Sequence, residues 1–569
     1  MNKTIRKELG FIYGEENAET LARKAAELIS KHDINAERQK ELFNEQDAFI
    51  ITYGDSLTSV GEVPLSVLDR FFTKRLEGTV RGIHILPYFP YSSDDGFSII
   101  DYRKVNPELG NWEDIEAIAA RFRFMTDLVL NHCSAESEYV KGFLRGDSLY
   151  DNFFIAPPDG VDLSSVARPR TSPLLTPFQH ADGEIRLWTT FSADQVDLNF
   201  AEPNVLLEMT DILLEYMAHG ARVVRLDAIA YLWKEIGTPC LHHPKTHAVV
   251  RFFRAVMDEA CPGSVLITET NVPHKENMSY LGNLNDEAHM IYQFSLPPLV
   301  LDAFIREDPR HLTAWAKELP HLGETATYFN FLASHDGIGI LPAHGILEEQ
   351  EIEGLLSEVK KRGGEISYKA VPGGEIPYEL NINYLSAVAE ESLSEKARAA
   401  KFLASQAVLL SMPGVPGIYI HSLLGSQNWS EGPKITGMKR SINREKLDIN
   451  GVEQELNTEG SLRSMVFDGY TAMLEARRKS KAFHPAGSWK VLDFSENGVF
   501  AIERTSPDET EQVTVFINTT GKETAVPLGG GSVGGDDLIT KEKPAENKTI
   551  EKDRLRLEPY QVMWIATRN

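Results

Sequence analysis

The chain of 569 residues is too long for one compact core, and its 42% hydrophobic and 25% charged residues are typical of a globular protein with more than one domain. Its formal net charge of −25 argues against DNA, RNA or an anionic membrane as a partner, because such partners require basic patches; an anionic small substrate would need local arginines. The polar amino terminus, the lack of a long apolar run and the three widely spaced cysteines predict a reduced, cytoplasmic protein without a signal peptide or a membrane span.

Residues 1–47 are predicted to form an N-terminal helical extension, because residues 14–47 have an amphipathic, helix-forming pattern. From residue 48 to residue 484, short continuous apolar runs alternate with helical patterns, which indicates a parallel sheet covered by helices. Eight such runs predict an α/β fold, a (β/α)8 TIM barrel. The predicted strands are residues 49–55, 82–88, 124–132, 222–228, 264–271, 290–297, 328–336 and 415–422.

Three further segments depart from this alternation. Residues 134–200 follow the third strand and residues 337–395 follow the seventh, and both are too long for simple helical connections. Because a barrel places its active site at the carboxyl ends of its strands, both insertions are predicted to be lids or small subdomains beside that site. Residues 485–569 contain short alternating runs, which predict a C-terminal antiparallel β domain.

The fourth predicted strand contains Arg225 and Asp227, two charges within an apolar run and on the same face of the strand. Because burying an ion is costly unless it is paired, this is either a structural salt bridge or a catalytic carboxylate held by an arginine. A single polar residue at a strand end is more often a helix cap or a turn former. Several strands that deliver carboxylates or imidazoles to one end of a barrel are harder to explain by capping, and they indicate an active site. These residues are Asn131, His132, Asp227, Glu269, His335 and Asp336, with Asp94 and Asp95 after the second strand.

Carboxylates on three strands suit the cleavage of a glycosidic bond, which needs one ionised carboxylate as nucleophile or base and one protonated carboxyl as acid. Asp227 is close to Arg225, and a nearby cation favours the ionised form, which suits a nucleophile. Glu269 follows an apolar run, and an apolar setting would raise its pKa toward the range of an acid/base catalyst. The spacing alone leaves the assignment of the two roles open.

Four segments, "DLVLNH", "VVRLDA", "ITETN" and "FLASHD", resemble in this order the four signature regions of the α-amylase superfamily, glycoside hydrolase family 13. The resemblance implies that Asp227 is the nucleophile, Glu269 the acid/base and Asp336 the stabiliser of the transition state. It also implies that Arg225 orients Asp227 and keeps it ionised. The residues that it implies for glucose binding in the −1 subsite are His132, Arg225 and His335.

Further segments, among them "YSSDDGF", "TTFSADQVDLN" and "SINR", resemble the sucrose-phosphorylase subfamily across most of the chain. This resemblance also implies that Arg168 or Arg170, in the segment "RPR", and Tyr378 lie near a phosphate. A chain of net charge −25 that binds an anion needs local arginines of this kind, although a solvated loop explains "RPR" equally well. The residues that the subfamily adds to the glucose pocket are Asp94, Phe97, Phe191, Gln195 and Arg444.

The N-terminal extension and residues 231–250 and 268–282 differ from ordinary sucrose phosphorylases and most resemble the glucosylglycerate phosphorylases. Both internal segments follow catalytic strands, where the acceptor would lie. The carboxylate of glycerate requires a cation or a cluster of donors there. The candidates are Lys234, His274 and Lys275, each of which is also explained as a surface residue.

The resemblance therefore implies a retaining glycoside phosphorylase. This enzyme would reversibly convert 2-O-α-D-glucosyl-D-glycerate and inorganic phosphate into α-D-glucose 1-phosphate and D-glycerate, by double displacement through a glucosyl-enzyme. The alternatives are a sucrose or sucrose 6′-phosphate phosphorylase, and an α-glucosidase or transglucosidase. A barrel that lost catalysis and became a transporter subunit would lack these carboxylates and need a membrane segment, opposite to this sequence on both counts. We expect no metal or organic cofactor, an α-glucoside and phosphate as partners and, as one assembly, a homodimer.

Overall fold

A computed structural model describes residues 2–34, 41–371, 374–528, 535–541, 550–551 and 554–568. Within these residues, eight parallel strands form a closed barrel, in which each strand pairs with its neighbours in chain order and the last pairs with the first. Each overlaps one predicted strand, so the prediction of a TIM barrel is confirmed. The strands are β1 (Phe49–Thr52), β2 (Gly82–Ile85), β3 (Arg123–Val129), β4 (Ala221–Asp227), β5 (Val265–Thr268), β6 (Met290–Tyr292), β7 (Thr327–Asn330) and β8 (Val415–Tyr419).

Helices follow the barrel strands along the chain. Pro64, Pro203 and Pro244 each occupy the first position of a long helix, where the fixed φ of proline suits a helix start and its missing N–H leaves no hydrogen bond unmade. The described helices are Lys3–Tyr13, Glu15–Lys31, Pro64–Arg75, Trp112–Ala119, Glu138–Leu144, Pro203–Ala218, Pro244–Ala260, His274–Met278, Leu296–Arg306, Arg310–Lys317, Glu349–Lys361, Tyr384–Val388, Glu395–Ser411, Ile420–Leu423, Gly432–Thr436, Ile449–Leu456 and Leu462–Arg478.

The pairing of β3 with β4 contains one irregularity, at the start of β4, where Arg222 is an extra residue relative to β3. From Met125 onward the register is regular, and it places Asp127 directly opposite Arg225. The two strands therefore bring a carboxylate and a guanidinium side by side in the buried barrel.

The segments after β3 and β7 form small antiparallel units that begin at the carboxyl ends of these strands. After β3 the strand Gln195–Asp197 pairs with His132–Ser134, and a hairpin consists of Leu175–His180 and Gly183–Trp188. After β7 a hairpin consists of Glu365–Val371 and Gly374–Asn381, and its second strand also pairs with Ile338–Gly339.

The amino-terminal extension forms two helices, and helix starts earlier than the predicted pattern over residues 14–47. Gly14, whose φ is +93°, separates Lys3–Tyr13 from Glu15–Lys31. The second helix ends well before residue 47, and residues 35–40 of the predicted pattern lie outside the described residues. The first helix packs on Pro244–Ala260, and its Ile5, Leu9 and Ile12 side chains are buried in the main core.

The carboxyl-terminal region contains antiparallel sheets, as the alternating pattern predicted. One sheet has the order Ser488–Phe494, Val499–Thr505, Glu511–Asn518 and Val562–Arg568, and a second has the order Thr524–Pro527, Arg554–Leu557 and Ile550–Glu551. A separate short pair joins Leu57–Thr58 to Leu447–Asp448. None of the helices in the described part of the chain is long and apolar enough to cross a membrane.

Candidate active site

A cavity at the carboxyl ends of the barrel strands collects side chains from the strand ends and from both insertions. Arg170 and Phe191 come from the insertion after β3, and Tyr378 and Glu379 from the insertion after β7. The predicted site residues that line this cavity are Asp94, Phe97, His132, Arg170, Phe191, Gln195, Asp227, Glu269, His335, Asp336 and Tyr378.

Asp227 is the last residue of β4 and is held by Arg225, two residues earlier on the same face. The Arg225 guanidinium donates to Asp227 Oδ1 from 2.8 Å and also donates to Asp127 Oδ1. Asp127 Oδ2 lies 2.6 Å from His84 Nε2, so this carboxylate is fixed from a second side. Both interpretations of the charges in β4 therefore apply: Arg225 forms a buried salt bridge with Asp127, and it holds a carboxylate that lines the cavity.

Burial raises the pKa of Asp227 above its ordinary value, whereas the Arg225 guanidinium and His132 act in the opposite direction. Arg225 acts in the expected direction on the pKa of Asp227, but its effect is smaller than that of burial. The reason is that Asp227 is taken out of water together with its partner, and desolvation penalises the charged form more than the guanidinium contact offsets.

Glu269 follows β5 by one residue and is the second carboxyl at the cavity. Glu269 Oε2 accepts a hydrogen bond from the backbone N–H of Ala228 at 3.0 Å and lies 3.8 Å from Arg225 Nη2. Ala228 has a φ of +47°, in the left-handed region that a residue with a Cβ rarely adopts, and this conformation turns the chain directly after Asp227. Burial raises the pKa of Glu269 to about 7, the direction that the sequence predicted for an acid/base.

Asp336 is the third carboxyl, and it is bound by an arginine that the sequence analysis missed. Arg440 Nη1 lies 2.7 Å from Asp336 Oδ1, and Arg440 Nη2 lies 2.6 Å from Glu379 Oε1. Although burial favours the neutral form, the Arg440 guanidinium, with His335 beside it, holds the pKa of Asp336 well below its usual range. The available signal was a second arginine four residues before Arg444 in a strongly acidic chain.

Six of the predicted glucose-binding residues contact one another around the cavity. The rings of Phe97 and His335 stack with their centroids 4.8 Å apart, and the rings of His132 and Phe191 lie 5.3 Å apart. Gln195 Nε2 lies 3.3 Å from Asp94 Oδ2 and 3.1 Å from His132 Nε2. These contacts surround the cavity with polar edges and aromatic faces, which suits a sugar.

Arg444 is a predicted glucose-pocket residue that does not line this cavity. Its Nε donates to the backbone carbonyl of His335 at 2.7 Å, and its Nη1 lies 2.6 Å from Asp95 Oδ2. It faces a neighbouring cavity with Tyr53 and Lys446. The expectation that Arg444 lines the glucose pocket is therefore corrected: it contacts His335 and Asp95, the residues next to Asp336 and Asp94, and its buried Nη2 has no hydrogen-bond partner among the described residues.

The two arginines of the segment "RPR" differ in position. Arg170 lines the cavity, and its guanidinium lies over the ring of Tyr378, 5.6 Å from the ring centroid. Arg168 is half-buried and is not one of the lining residues. Of the two arginines, Arg170 is the one that lines the cavity, and its place near a phosphate stays a prediction.

The three acceptor candidates after β4 and β5 do not line the cavity. Lys234 is buried, with its ammonium 2.6 Å from Asp197 Oδ2, so the expectation that it binds the acceptor is corrected. His274 begins the short helix His274–Met278, and Lys275 beside it is exposed. Their segments contribute other groups instead, because Tyr231 and Asn271 line the cavity.

Asn271 is a further polar residue that the sequence analysis missed, two positions after Glu269. Its Nδ2 donates to the hydroxyl of Tyr378 at 3.3 Å, whereas its buried Oδ1 accepts no hydrogen bond from the described residues. The cavity therefore contains an unused acceptor beside a guanidinium and a hydroxyl.

The described residues contain no group of three or more His, Cys, Asp or Glu side chains that could hold a metal ion. The expectation of a reaction without metal or organic cofactor stays a prediction. The groups that the cavity offers for chemistry are carboxyls, imidazoles and guanidiniums.

Comparisons with known proteins relate this site to enzymes that act on glucosides. Residues 74–339 match the family model of the α-amylase catalytic domain. The chain is 53% identical to the glucosylglycerate phosphorylase of Spirochaeta thermophila, over 99% of this chain and 98% of that protein. It is 42% identical to the glucosylglycerate phosphorylase of Escherichia coli, over 99% of this chain and 100% of that protein. The crystal structure of sucrose 6F-phosphate phosphorylase from Thermoanaerobacter thermosaccharolyticum superposes with a TM-score of 0.73 at 26% identity, over 84% of this chain and 94% of that one.

Proposed function

The chain belongs to the glucosylglycerate phosphorylases of the α-amylase superfamily, and on this basis we propose that it catalyses the reversible phosphorolysis of 2-O-α-D-glucosyl-D-glycerate. The products are α-D-glucose 1-phosphate and D-glycerate. The observation that carries the proposal is the 53% identity over 99% of the chain to a protein of that name. The cavity supports it, because it contains two carboxyls in different electrostatic settings together with a guanidinium that faces the open space.

In the first displacement, the Asp227 carboxylate attacks the anomeric carbon while the bond from that carbon to the glycerate oxygen breaks. The Glu269 carboxyl gives its proton to the departing oxygen, so that glycerate leaves as an alcohol and Glu269 becomes a carboxylate. The contacts support this division of roles. Asp227 accepts a hydrogen bond directly from Arg225 at 2.8 Å, whereas Glu269 lies 3.8 Å from the same guanidinium and has its pKa raised to about 7 by burial.

In the second displacement, a phosphate oxygen attacks the anomeric carbon of the glucosyl-enzyme and Asp227 is released. The Glu269 carboxylate takes the proton of the attacking phosphate, which restores the acid for the next turnover. Two inversions at the same carbon give net retention, so the product is the α anomer. Asp336, which Arg440 keeps ionised, faces the same space and would stabilise the positive charge that develops on the sugar ring.

Phosphate and glycerate approach the anomeric carbon from the same side, because the second displacement retraces the path of the first leaving group. One cationic region must therefore receive a carboxylate in one direction and a phosphate in the other. Arg170 supports this role, since its guanidinium lines the cavity and is held over the Tyr378 ring. Asn271 Oδ1, which is buried and unused, would accept a hydroxyl of glycerate.

The remaining expectations on setting and assembly are part of the proposal. The three cysteines are buried and free, which supports a reduced cytoplasmic setting. The net charge of −25 supports the absence of a nucleic-acid partner. A homodimer is the proposed assembly, and light scattering of the purified protein tests it.

The proposal is tested by measuring glucose 1-phosphate released with phosphate from 2-O-α-glucosylglycerate, sucrose and glucosylglycerol. We expect much the highest kcat/KM on glucosylglycerate, because a site that binds a carboxylate leaves donors unpaired when the carboxylate is missing. A higher kcat/KM on sucrose would make the protein a sucrose phosphorylase. Release of free glucose at the same rate without phosphate would make it an α-glucosidase.

A further inference from the structure

A buried ion pair lies next to the cavity without lining it. Lys234 Nζ is 2.6 Å from Asp197 Oδ2, and the two side chains are 3% and 0% exposed. The backbone N–H and the hydroxyl of Thr190 also donate to the Asp197 carboxylate, at 2.7 Å and 2.6 Å. Because burying both ions is costly and gives little net stability, the pair needs a reason beyond holding the fold together.

The second contact of Lys234 is with Asn131, the residue before His132. Lys234 Nζ donates to Asn131 Oδ1 at 2.6 Å. An ammonium group can only donate, so this contact determines which end of the amide faces the lysine. The amide nitrogen must then face the other way, and there it lies 3.0 Å from Asp197 Oδ2 and 3.3 Å from His132 Nδ1.

The tautomer of His132 follows from this orientation. Since the Asn131 amide nitrogen can only donate, His132 Nδ1 must accept, and a neutral imidazole then carries its proton on Nε2. The other side of the ring agrees, because His132 Nε2 lies 2.9 Å from the backbone carbonyl of Phe97, which can only accept. Asn131 and Phe97 therefore require the same tautomer. A third neighbour, the Gln195 amide nitrogen, lies 3.1 Å from His132 Nε2, but it also lies 3.3 Å from Asp94 Oδ2, and in this tautomer it donates to Asp94 rather than to the ring.

We propose that Lys234 is a positioning residue, which acts through Asn131 to hold His132 as the Nε2–H tautomer facing the glucosyl site. Asp197 completes the unit, because it lies opposite His132 in the strand pair and fixes the lysine from the other side. Without the lysine, the Asn131 amide loses one of its two fixed partners and is still held by Asp197, which accepts from its nitrogen. Without both charged groups, the amide can rotate and present its oxygen to His132 Nδ1. That arrangement favours the opposite tautomer, which cannot donate to the Phe97 carbonyl. The competing interpretation is a salt bridge that only stabilises the fold.

The tautomer is measured directly by NMR on the full-length protein with ¹⁵N-labelled histidine, with the His132 signals identified by their absence in His132→Gln. We expect the unmodified protein to show a protonated Nε2 and an unprotonated Nδ1 for His132. Finding the proton on Nδ1 overturns the proposal, whatever any variant does. This measurement does not depend on the proposed phosphorolysis.

Two variants distinguish a positioning role of Lys234 from a role in stability alone. Lys234→Met removes the cation, and Lys234→Met with Asp197→Asn removes both charges, so that no unpaired ion stays buried if the single variant fails to fold. We expect a partial change of the His132 tautomer toward Nδ1–H in Lys234→Met, where Asp197 still accepts from Asn131, and a larger change in the double variant. The fall in kcat/KM for glucosylglycerate should follow the same order and reach up to about 100-fold. The matched control is Lys245→Met in the same segment, where the ammonium lies 4.5 Å from the Trp233 ring centroid and contacts no site residue. We expect the tautomer to be unchanged there.

The expected change in kinetics rests on the proposed function, and it has a specific pattern of KM changes. KM should rise for both glucosyl donors, glucosylglycerate and glucose 1-phosphate, and stay within about twofold for free phosphate and glycerate, because His132 faces the sugar. If the folded variants keep the Nε2–H tautomer, Lys234 is only a structural salt bridge and the proposal is wrong. If the tautomer changes while no phosphorolysis is found even in the unmodified protein, the proposed function fails and the positioning role stands.

Discussion

The two halves of the cavity are built differently. On the glucose side, Asp227 ends a barrel strand, and Glu269 and Asp336 follow barrel strands. Glu269 accepts from a backbone N–H, and Asp227 and Asp336 are each bound by an arginine that also binds a second carboxylate. On the acceptor side, Arg170 and Tyr378 come from the insertions, and the described residues leave groups such as Asn271 Oδ1 unused. The chemistry that every substrate shares is thus attached to rigid strands, whereas the groups that distinguish acceptors lie on segments that can change without moving the barrel.

Removal of the nucleophile is the strongest test of the roles assigned to the glucose side of the cavity. We expect Asp227→Asn to lower kcat by at least about 10⁴-fold, because an amide cannot form the glucosyl ester that the carboxylate forms. Steady-state release of glucose 1-phosphate measures the effect. Asp182→Asn, at an exposed position of the insertion after β3, is the control and should be unchanged. A rate near normal in Asp227→Asn contradicts the assignment.

Glu269→Gln should have the next largest effect, a loss of about 10²–10⁴-fold in kcat, since it removes proton transfer while keeping the shape of the side chain. The acid must be protonated to act, and burial raises the pKa of Glu269 to about 7. In the unmodified protein, kcat/KM for phosphorolysis should therefore fall as the pH rises above about 7, and the variant should lose this alkaline limb. If the limb persists in Glu269→Gln, another group is the acid.

Arg440→Gln tests whether the glucose side of the cavity depends on the arginine that binds Asp336. The Arg440 guanidinium lowers the pKa of Asp336, so its removal should raise that pKa and move the acid limb of the pH profile to higher pH. We expect a fall in kcat of about 100-fold at neutral pH from misplacement of Asp336. Lys439→Gln is the matched control, because its ammonium contacts only the Ile366 carbonyl among the described residues. If the acid limb of the pH profile does not move in Arg440→Gln, the ionisation of Asp336 does not determine it.

The smallest expected effect is on the acceptor side. Arg170→Ala should raise KM for phosphate and for glycerate by about tenfold, the value of one lost charge-assisted hydrogen bond, and should raise KM for the glucosyl donors less. Arg168→Ala, two residues away and outside the cavity lining, is the matched control. Equal KM changes for the two arginine variants would assign both to loop structure.

The barrel could be predicted because its strands are buried on both faces and therefore read as continuous apolar runs. For the same reason the polar residues at their ends could be picked out, and the cavity collects Asp227, Glu269 and Asp336 as expected. The effect of Arg225 on Asp227 could be predicted from their spacing, whereas the burial that outweighs it and raises the pKa of Asp227 could not.

The loop residues were harder to predict, because nothing periodic marks where a loop side chain points. Lys234 has the charge that an acceptor carboxylate needs, yet Asp197 takes that charge inside the protein. The segment "SINR" directed attention to Arg444, whereas Arg440 lines the cavity. A charge in a loop tells which ions it can bind, but its partner depends on contacts between segments far apart in the chain.

The extra residue at the start of β4 shows how the register of this strand determines which side chains reach the cavity. The period of a strand is two, so a one-residue deletion or insertion between Val223 and Asp227 would turn catalytic side chains toward the helices. The loss of Arg222 itself would leave the pairs from Met125–Val223 onward unchanged, because Arg222 is the extra residue relative to β3. The start of β4 is therefore a place where a change of strand length can be absorbed before the catalytic positions begin.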